Sequence, residues 1–539
     1  MAQQQWWKGA VIYQIYPRSF QDTNGDGIGD LPGIIDRLDY IKSLGVDAIW
    51  ISPFFKSPMK DFGYDISDYR DIDPMFGNLN DFDTLIEQAH QRNIKIIIDQ
   101  VLSHTSNEHQ WFIDSRQSAD NEKSDWYVWA DAKPDGSAPN NWLSIFGGTA
   151  WQWEPRRCQY YLHNFLTEQP DLNFHNPDVR KAVLDNVEFW LKKGVDGFRL
   201  DAINFCYHDA QLRDNPAKPK ALRQGRGFSE DNPYAFQYHY YNNTQPENLA
   251  FMQEIRTLLD RYPGTVSLGE ISSEDSLQTM AEYTADDDKL HMGYSFELLT
   301  KDYSAQYIRE TVSTLESVMT QGWPCWAFSN HDVERVASRW HIDGKSVNNQ
   351  QVKMLSALLG SLRGSVCMYQ GEELGLSEAD VAFEDLQDPY GITFWPNFKG
   401  RDGCRTPMPW TSEHENAGFS TKAPWLPICN EHTLRSVKQQ SQLSDSVLTY
   451  FQAFMAWRKQ IPELLYGDIE FVETAEPILA FYRHYANKTI LCVFNLSQTH
   501  EAMPIELNNP QQCKLKHNTG SYNKGKIDLP AFACYFAYL

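Results

Sequence analysis

The chain has 539 residues, of which 42% are hydrophobic and 22% charged, a composition typical of a folded globular protein rather than a disordered one. Its 71 acidic and 48 basic side chains give a formal net charge of −23 at pH 7, which argues against nucleic acid or an anionic membrane as partner. No apolar run reaches the roughly 18 residues of a membrane span, and no secretory signal is recognisable. Nine scattered cysteines without a Cys-x-x-Cys pair predict reduced thiols and a cytoplasmic location.

Strand-like segments alternate with helical patterns over most of the chain. The predicted strands, in chain order, are Ala10–Ile15, Ala48–Ile51, Lys95–Asp99, Gly197–Leu200, Thr265–Leu268, Tyr294–Leu298, Trp326–Phe328 and Ser365–Tyr369. Apolar residues at helical spacing predict helices between them, among others over Ile34–Lys42, Leu79–Arg92, Val179–Lys193, Leu249–Asp260, Ala305–Met319 and Val352–Leu362. Eight such units predict the α/β class and a closed (β/α)8 TIM barrel, whose functional site forms at the carboxyl ends of the strands.

Two stretches depart from this alternation. Residues 104–176 contain no recognisable strand-helix unit and are dense in Trp, Gly, Asn and Pro, which predicts a subdomain inserted after the third strand. The barrel is then formed by residues 1–103 and 177–465. Beyond residue 465 helical spacing gives way to strand-like runs, so residues 466–539 are predicted to form a C-terminal all-β sandwich domain.

Polar side chains follow four of the predicted strands where each strand ends. A single aspartate there is usually a helix cap or part of a structural salt bridge, and a single histidine is usually a satisfied core residue. Charges at the mouth of a barrel core are costly unless paired or used, so a set from four strands indicates a catalytic site. The set is Asp99 and His104 after the third strand, Arg199 and Asp201 after the fourth, Glu270 after the fifth, and His331 and Asp332 after the seventh.

The segments around these residues resemble the short motifs of the α-amylase family of glycoside hydrolases. Four of them occur in the family's order: Asp99–His104, Gly197–Ala202, Glu270 and Asn330–Asp332. Three more are similar to the α-glucosidase and oligo-1,6-glucosidase branch: Gly63–Asp65, Gln169–Asn173 and Gly400–Trp410. Ser103 and Cys404 depart from the usual Asn and Ala of the family, without touching a carboxylate.

The resemblance implies a retaining, exo-acting α-glucosidase that uses a covalent glucosyl-aspartate intermediate and also transfers glucose to other acceptors. Asp201 matches the family's nucleophile, Glu270 its acid/base, and Asp332 the third catalytic carboxylate. Arg199 lies two residues before Asp201, hence on the same face of the strand, and is expected to keep Asp201 ionised. Burial and a neighbouring carboxylate are expected to keep Glu270 protonated.

The resemblance also supplies substrate-binding residues. Asp65 and Arg401 match the pair that holds the non-reducing glucose, and Tyr64 is expected to stack beneath that ring. The remaining expected contacts are hydrogen bonds from His104 and His331 and apolar walls from Phe146, Phe165 and Phe296.

Ala202 follows the nucleophile and carries the linkage prediction. In the resembling branch, a small residue there accompanies α-1,4 cleavage and Val accompanies α-1,6 cleavage, so short α-1,4 glucosides such as maltose are the expected substrates. The alternative determinant is the loop around residues 227–243. Alternative functions are an oligo-1,6-glucosidase or a sucrose-acting hydrolase or isomerase and, more distantly, a non-catalytic carbohydrate-fold binding protein. Monomer and dimer are both open.

The loop after the first strand alternates oxygen-bearing residues with glycines. It matches the first half of an EF-hand pattern, but Gly33 occupies the position of the bidentate glutamate, so it is no EF-hand. It resembles the single hard-cation site of the same branch, which implies one structural Ca²⁺ or Mg²⁺ held by Asp22, Asn24, Asp26, the Ile28 carbonyl and Asp30. A solvated acidic turn is the alternative. No phosphate-binding Gly-rich motif occurs, so no organic cofactor is expected.

Overall fold

A computed structural model describes residues 5–223, 232–342, 347–515 and 519–539. Eight parallel strands form its centre: β1 (Val11–Ile15), β2 (Ala48–Ile51), β3 (Lys95–Val101), β4 (Gly197–Asp201), β5 (Val266–Ile271), β6 (Met292–Ser295), β7 (Cys325–Ala327) and β8 (Ser365–Tyr369). They are hydrogen-bonded in the order β6-β5-β4-β3-β2-β1-β8-β7. A parallel bridge between Gly293 and Pro324 joins β6 to the start of β7 and closes the ring. The predicted (β/α)8 barrel is confirmed.

Helices cover the outside of the barrel between consecutive strands. The helix Leu79–Gln91 shows why: Asn78 caps it in a reciprocal capping box with Asp81, and its apolar residues at helical spacing are buried. The other helices of the barrel layer are Leu31–Asp36, Leu38–Ser43, Pro177–Lys192, Asn248–Leu259, Ser276–Tyr283, Ala305–Val318, Val336–Arg339 and Asn349–Leu359. Helices Pro389–Phe394, Asn430–Thr433, Val437–Ser441, Val447–Arg458 and Pro462–Tyr466 follow β8.

Alternate residues of each barrel strand face inward, and the inward set changes character along the barrel axis. Its lower layers are apolar and include Ile12, Ile97, Leu268 and Met292, all completely buried. At the carboxyl ends the inward positions become polar: Gln14 in β1, Asp99 in β3, Arg199 and Asp201 in β4, and Glu270 in β5. This polar layer forms the floor of the candidate site.

Residues 104–176 contain the helix Gln110–Ser115 and an antiparallel sheet of Trp129–Ala130, Trp151–Glu154 and Gln159–Leu162. Their aromatic and aliphatic side chains form a separate small core that includes Trp142 and Trp151. A bridge between His104 and Asp171 ties this segment to the end of β3, over the mouth of the barrel. A two-stranded ribbon, Phe55–Lys56 with Asp68–Ile72, lies in the connection after β2.

The C-terminal residues form two antiparallel sheets, as expected for the all-β domain. One contains Asp468–Val472, Ile478–Tyr485, Lys488–Asn495, Gln511–Gln512 and Cys534–Tyr538, and the other Glu501–Pro504, Ser521–Asn523 and Lys526–Leu529. Apolar residues from both sheets, among them Val493 and Ile527, form the core between them.

One predicted strand is displaced. The alternation of apolar and polar residues over Tyr294–Leu298 suggests a strand, whereas β6 begins at Met292 and Glu297–Leu299 forms a 3₁₀ turn. Alternation does not fix where a strand begins, and here Gly293 lies inside β6 and permits the close approach of Ile271 from β5. Among the described residues, no helix combines the length and apolarity needed to cross a membrane.

Candidate active site

Arg199 organises the carboxyl groups at the end of the barrel. It is completely buried, and its Nη1 donates to Asp99 Oδ1 at 2.9 Å and to Asp201 Oδ1 at 2.7 Å. Its Nη2 lies 2.5 Å from Glu270 Oε1. One planar guanidinium therefore holds Asp201 and Glu270, from neighbouring strands, close together and facing the same space.

Glu270 is held by two further donors. The backbone N–H of Ala202 donates to Oε2 at 3.0 Å, and the hydroxyl of Tyr294 donates to Oε1 at 3.0 Å. Ala202 can aim its N–H at Glu270 because it turns out of β4 in the left-handed conformation, at φ 39° and ψ 46°. A residue with a side chain adopts that region only at a cost, so the turn after Asp201 is a strained feature of the site.

Charge is unevenly balanced in this cluster, because three carboxyl groups share one guanidinium. Burial raises the pKa of Asp99 to about 6, although Arg199 opposes the shift. Burial also raises the pKa of Asp201 well above its usual range, with Arg199 opposing and the neighbouring carboxylates adding to the rise. Arg199 thus acts on Asp201 in the expected direction, toward the ionised form, while burial and the neighbouring carboxylates act against it. Ionisation of Asp201 stays a prediction.

Asp332 has the opposite electrostatics. Its Oδ1 accepts from Arg401 Nη1 at 3.2 Å and from Arg405 Nη2 at 3.1 Å, and its Oδ2 lies 3.4 Å from His331 Nε2. Burial raises the pKa of Asp332, but the positive charges that face it, among them Arg401 and Arg405, outweigh burial and hold that pKa well below its usual range. Asp332 is thus an ionised carboxylate on the wall opposite Asp201 and Glu270.

The site opens into a cavity of about 780 Å³, including its open mouth. Ten of the thirteen residues predicted for catalysis or substrate binding line it: Tyr64, His104, Phe146, Phe165, Asp201, Ala202, Glu270, Phe296, Asp332 and Arg401. Five residues that sequence reasoning missed complete the wall: Asp61, Ile145, Phe205, Ser272 and Tyr390. The aromatic side chains come from the inserted segment and from the connections after β2, β4, β6 and β8, so only the folded chain unites them.

Two predicted residues lie behind the wall rather than on it. Arg199 acts through the carboxylates described above. His331 is completely buried, with its ring stacked 5.4 Å from that of Tyr64, at an interplanar angle of 12°. His104 does reach the cavity, where its Nε2 contacts the Tyr64 carbonyl at 3.0 Å. Burial lowers the pKa of His104 to about 4, so this ring is neutral at physiological pH.

Asp65 does not line the cavity, contrary to the prediction that it binds the non-reducing glucose. It is completely buried below the cavity, where its oxygens accept from the Ser57 hydroxyl and from the backbone N–H groups of Lys60 and Asp61 at 2.8–3.0 Å. These bonds fix the loop rather than a sugar. The carboxylate on the wall is Asp61, whose Oδ1 accepts from Arg401 Nη2 at 2.9 Å.

Arg401 owes its position to a residue that carries no sequence signal. The carboxylate of Asp388 accepts from Arg401 Nη2 at 2.8 Å and from Nε at 3.1 Å. Arg401 thus links Asp388, Asp61 and Asp332 in one buried network, three members of which line the cavity. Asp61 is equally visible in the sequence, but no sequence feature favours it over Asp65 as the residue on the wall.

A second cavity, of about 890 Å³, adjoins the first and shares Ser272 and Phe296 with it. Its described walls include Tyr234, whose ring stacks on that of His239 at 3.6 Å, and the ion pair of Lys218 with Glu274 at 2.6 Å. The loop offered as an alternative specificity determinant, around residues 227–243, contributes here from residue 232 onward. Its residues 227–231 lie outside the described part of the chain.

The predicted metal loop has hard oxygen donors, but they serve the loop itself in this structure. Asp22 accepts from the backbone N–H groups of Gly25 and Gly27 at 2.7 and 2.9 Å, and Asp30 accepts from Thr23 and Gly33. Within the described ranges, no group of three or more His, Cys, Asp or Glu side chains is arranged to hold a metal ion. The donor types suit Ca²⁺ or Mg²⁺, and the metal remains a prediction.

Comparison with known proteins agrees with the geometry. The family model for the alpha-amylase catalytic domain matches residues 14–467. The chain is 53% identical to a probable alpha-glucosidase of Rhizobium meliloti (strain 1021), over 99% of this chain and 97% of the relative. It is 39% identical to the oligo-1,6-glucosidase of Heyndrickxia coagulans, over 92% of each. Its structure is similar to that of the alpha-glucosyl transfer enzyme XgtA, with a TM-score of 0.98 and 64% identity, over 99% of this chain and 100% of that one. The chain therefore belongs to the alpha-amylase family and is a glycoside hydrolase of its glucosidase and glucosyl-transferring branch.

Proposed function

We propose that the protein is a retaining, exo-acting α-glucosidase that releases α-glucose from the non-reducing end of short α-1,4 glucosides and transfers glucose to other hydroxyl acceptors. The observation that carries this proposal is the single guanidinium of Arg199 contacting Asp201 at 2.7 Å and Glu270 at 2.5 Å. A close carboxyl pair facing one cavity is what retention requires, since an inverting pair needs room for a water molecule between its members.

Asp201 is the proposed nucleophile and Glu270 the proposed acid/base. The carboxylate of Asp201 bonds to the anomeric carbon while the glycosidic oxygen leaves with the proton of Glu270. Glu270 then takes a proton from water or from an acceptor hydroxyl, which attacks the same carbon and releases Asp201. Tyr294 and the Ala202 N–H hold Glu270 in place for this step.

The buried network around Arg401 supports exo action. Asp61 and Arg401 offer a carboxylate and a guanidinium side by side, a combination that pairs with neighbouring sugar hydroxyls. Asp332, ionised between two arginines, is proposed to accept from ring hydroxyls and to stabilise the positive charge of the transition state. Arg401 and its partners are also proposed to block the cavity at this network, so that a longer glucan chain cannot continue past the terminal glucose.

The second cavity supports glucosyl transfer. It adjoins the first at Ser272 and Phe296, and Ser272 follows β5, which carries Glu270. An acceptor held there can intercept the glucosyl intermediate in place of water. Ala202 borders the passage, and its small side chain is the proposed reason for preferring an O4-linked leaving sugar.

Time-resolved product analysis on maltose, isomaltose, sucrose, trehalose and soluble starch tests the proposal. We expect maltose to be the fastest substrate, with kcat/KM about tenfold or more above that of isomaltose. A steric difference of one or two methyl groups beside the leaving sugar is large enough to produce such a ratio. Fresh hydrolysate should contain α-glucose before mutarotation, and larger oligosaccharides should accumulate at high maltose. β-Glucose as the first product, or shortening of starch from within, would contradict the proposal.

A further inference from the structure

A buried hydrogen-bond relay runs behind the cavity and ends at the carboxyl cluster. Gln14, in β1, is 1% exposed, and its Nε2 lies 2.7 Å from Nδ1 of His331. On the other side of that ring, Nε2 lies 2.5 Å from the hydroxyl of Tyr64. The Tyr64 hydroxyl donates in turn to Asp99 Oδ2 at 3.0 Å, and Asp99 shares Arg199 with Asp201.

The direction of this relay decides which nitrogen of His331 carries the hydrogen. If Gln14 donates its amide N–H to Nδ1, then Nε2 carries the hydrogen and donates to Tyr64, whose own hydrogen is free for Asp99. If the amide is reversed, Tyr64 must donate to His331 and is lost to Asp99. A bare Nε2 would then also face Asp332 Oδ2 at 3.4 Å, lone pair against carboxylate. The first arrangement gives Asp99 the hydrogen of Tyr64 and turns an N–H toward Asp332, while the Gln14 oxygen has no partner among the described residues. The second arrangement takes the Tyr64 hydrogen away from Asp99 and sets a lone pair against Asp332.

We infer that Gln14 is a positioning residue, which fixes His331 as the neutral Nε2–H tautomer and thereby aims Tyr64 at Asp99 on the floor of the active site. The amide N–H of Gln14 occupies the lone pair that a second proton would need, so the ring cannot become an imidazolium. This inference rests on the proposed function for its kinetic consequences only. The tautomer itself can be measured without substrate.

Other groups around His331 favour the same state. The charged and titratable ones are Asp332, Arg405, Arg401, Arg199, Tyr64 and Tyr16, the last stacked on the imidazole at 5.8 Å. Arg405 Nε donates to the His331 carbonyl at 2.7 Å and holds its backbone. Burial and the three arginines lower the pKa of His331 well below its ordinary value, against the pull of Asp332.

Gln14→Glu tests the inference, because it predicts the direction in which the pH dependence of kcat/KM changes. The new carboxylate can only accept, so Nδ1 must carry the hydrogen, and the negative charge raises the pKa of His331. Only the doubly protonated ring then keeps a hydrogen on Nε2. We expect kcat/KM of the variant to fall as pH rises through the raised pKa, giving an alkaline limb at lower pH than in the wild type. Gln14→Leu should lower kcat/KM by about tenfold or more at every pH, since it leaves a buried lone pair without its donor.

Gln351→Leu is the matched control. Gln351 is also a buried glutamine, whose Nε2 donates to the Trp340 carbonyl at 2.6 Å, far from the carboxyl cluster. Its loss should lower the melting temperature and leave the pH profile unchanged. If Gln14→Glu shows the wild-type alkaline limb, or if Gln14→Leu changes only stability as this control does, the inference is overturned.

Nitrogen-15 NMR of the wild-type protein labelled at histidine keeps the test independent of variant folding and of activity. His331→Asn identifies the signals of His331 among the 15 histidines. We expect a pyridine-like Nδ1 and a pyrrole-like Nε2 across the pH range of activity. A hydrogen on Nδ1 overturns the role of Gln14, whereas a correct tautomer in a protein that cleaves no α-glucoside overturns the proposed function alone.

Discussion

Replacing Ala202 by Val is the sharpest test of how linkage preference arises. Ala202 is 6% exposed, lines the cavity beside Asp201 and Glu270, and occupies the left-handed region. Val adds two methyl groups on the side of the leaving sugar. The structure therefore predicts two effects of Ala202→Val, one on backbone strain and one on substrate fit.

A side chain in the left-handed region costs about 1–2 kcal/mol, most of which Ala202 already carries, so the β-branched Val adds only a fraction of it. The loss of fit is about 1–3 kcal/mol, equivalent to roughly 10–200-fold in kcat/KM on maltose. Isomaltose should lose less, because its O6 linkage has an extra rotatable bond that can route around the new methyl groups. The maltose-to-isomaltose ratio of kcat/KM should therefore fall or reverse.

Ala486→Val separates the two effects. Ala486 has a φ of 50° in the exposed turn between Ile478–Tyr485 and Lys488–Asn495, far from the cavity. This control should lose stability through strain and keep the wild-type substrate ratio. Initial rates on both disaccharides, with thermal melts of all three proteins, complete the assay. An unchanged ratio in Ala202→Val would refute the steric argument and move the determinant to the second cavity.

Further predictions concern the wall, the acidic loop and a buried carboxyl. Asp61→Asn should raise KM and lower kcat/KM on maltose by about tenfold or more at little cost in stability. Asp65→Asn should instead lower the melting temperature. The reverse pattern would indicate that Asp65, and not Asp61, binds the substrate. Asp26→Ala or chelation should lower the melting temperature while sparing the intrinsic rate, and elemental analysis that finds no metal would leave only an acidic turn. Burial raises the pKa of Asp171 to about 8, so the stability it contributes below pH 4 is lost as pH rises toward about 8. Asp171→Asn should therefore flatten the decline in melting temperature between pH 5 and pH 9, and an unchanged slope would contradict that assignment.

The barrel was accessible from sequence because its signal is periodic and local. All eight predicted strands exist, and the catalytic carboxyls follow strand ends, where the chain itself marks them. Only β6 is displaced, in a short alternating segment whose pattern does not define its ends. Strand-end polarity thus predicted Asp201, Glu270 and Asp332 as members of one site.

The walls of the site depended on contacts between residues far apart in the chain. Gln14 contacts His331 across 317 positions, and Asp388 contacts Arg401 across 13. Neither Gln14 nor Asp388 belongs to a sequence motif that would mark it as part of the site. Asp61 and Asp65 are equally acidic and four residues apart, and only the fold turns one into the cavity and the other into its loop. Burial, which no motif reports, also raises the pKa of Asp201, with Arg199 opposing the rise.

The central claim, a covalent glucosyl bond to Asp201, has a direct measurement. Glu270→Gln should still accept an activated aryl α-glucoside, whose leaving group needs little acid assistance, and then stall before hydrolysis because no base remains to activate water. Acid quenching, proteolysis and mass spectrometry should find one glucosyl unit on the peptide that contains Asp201, and none in the double variant that also carries Asp201→Asn. A stalled enzyme without that adduct, or an adduct on another side chain, would contradict the mechanism.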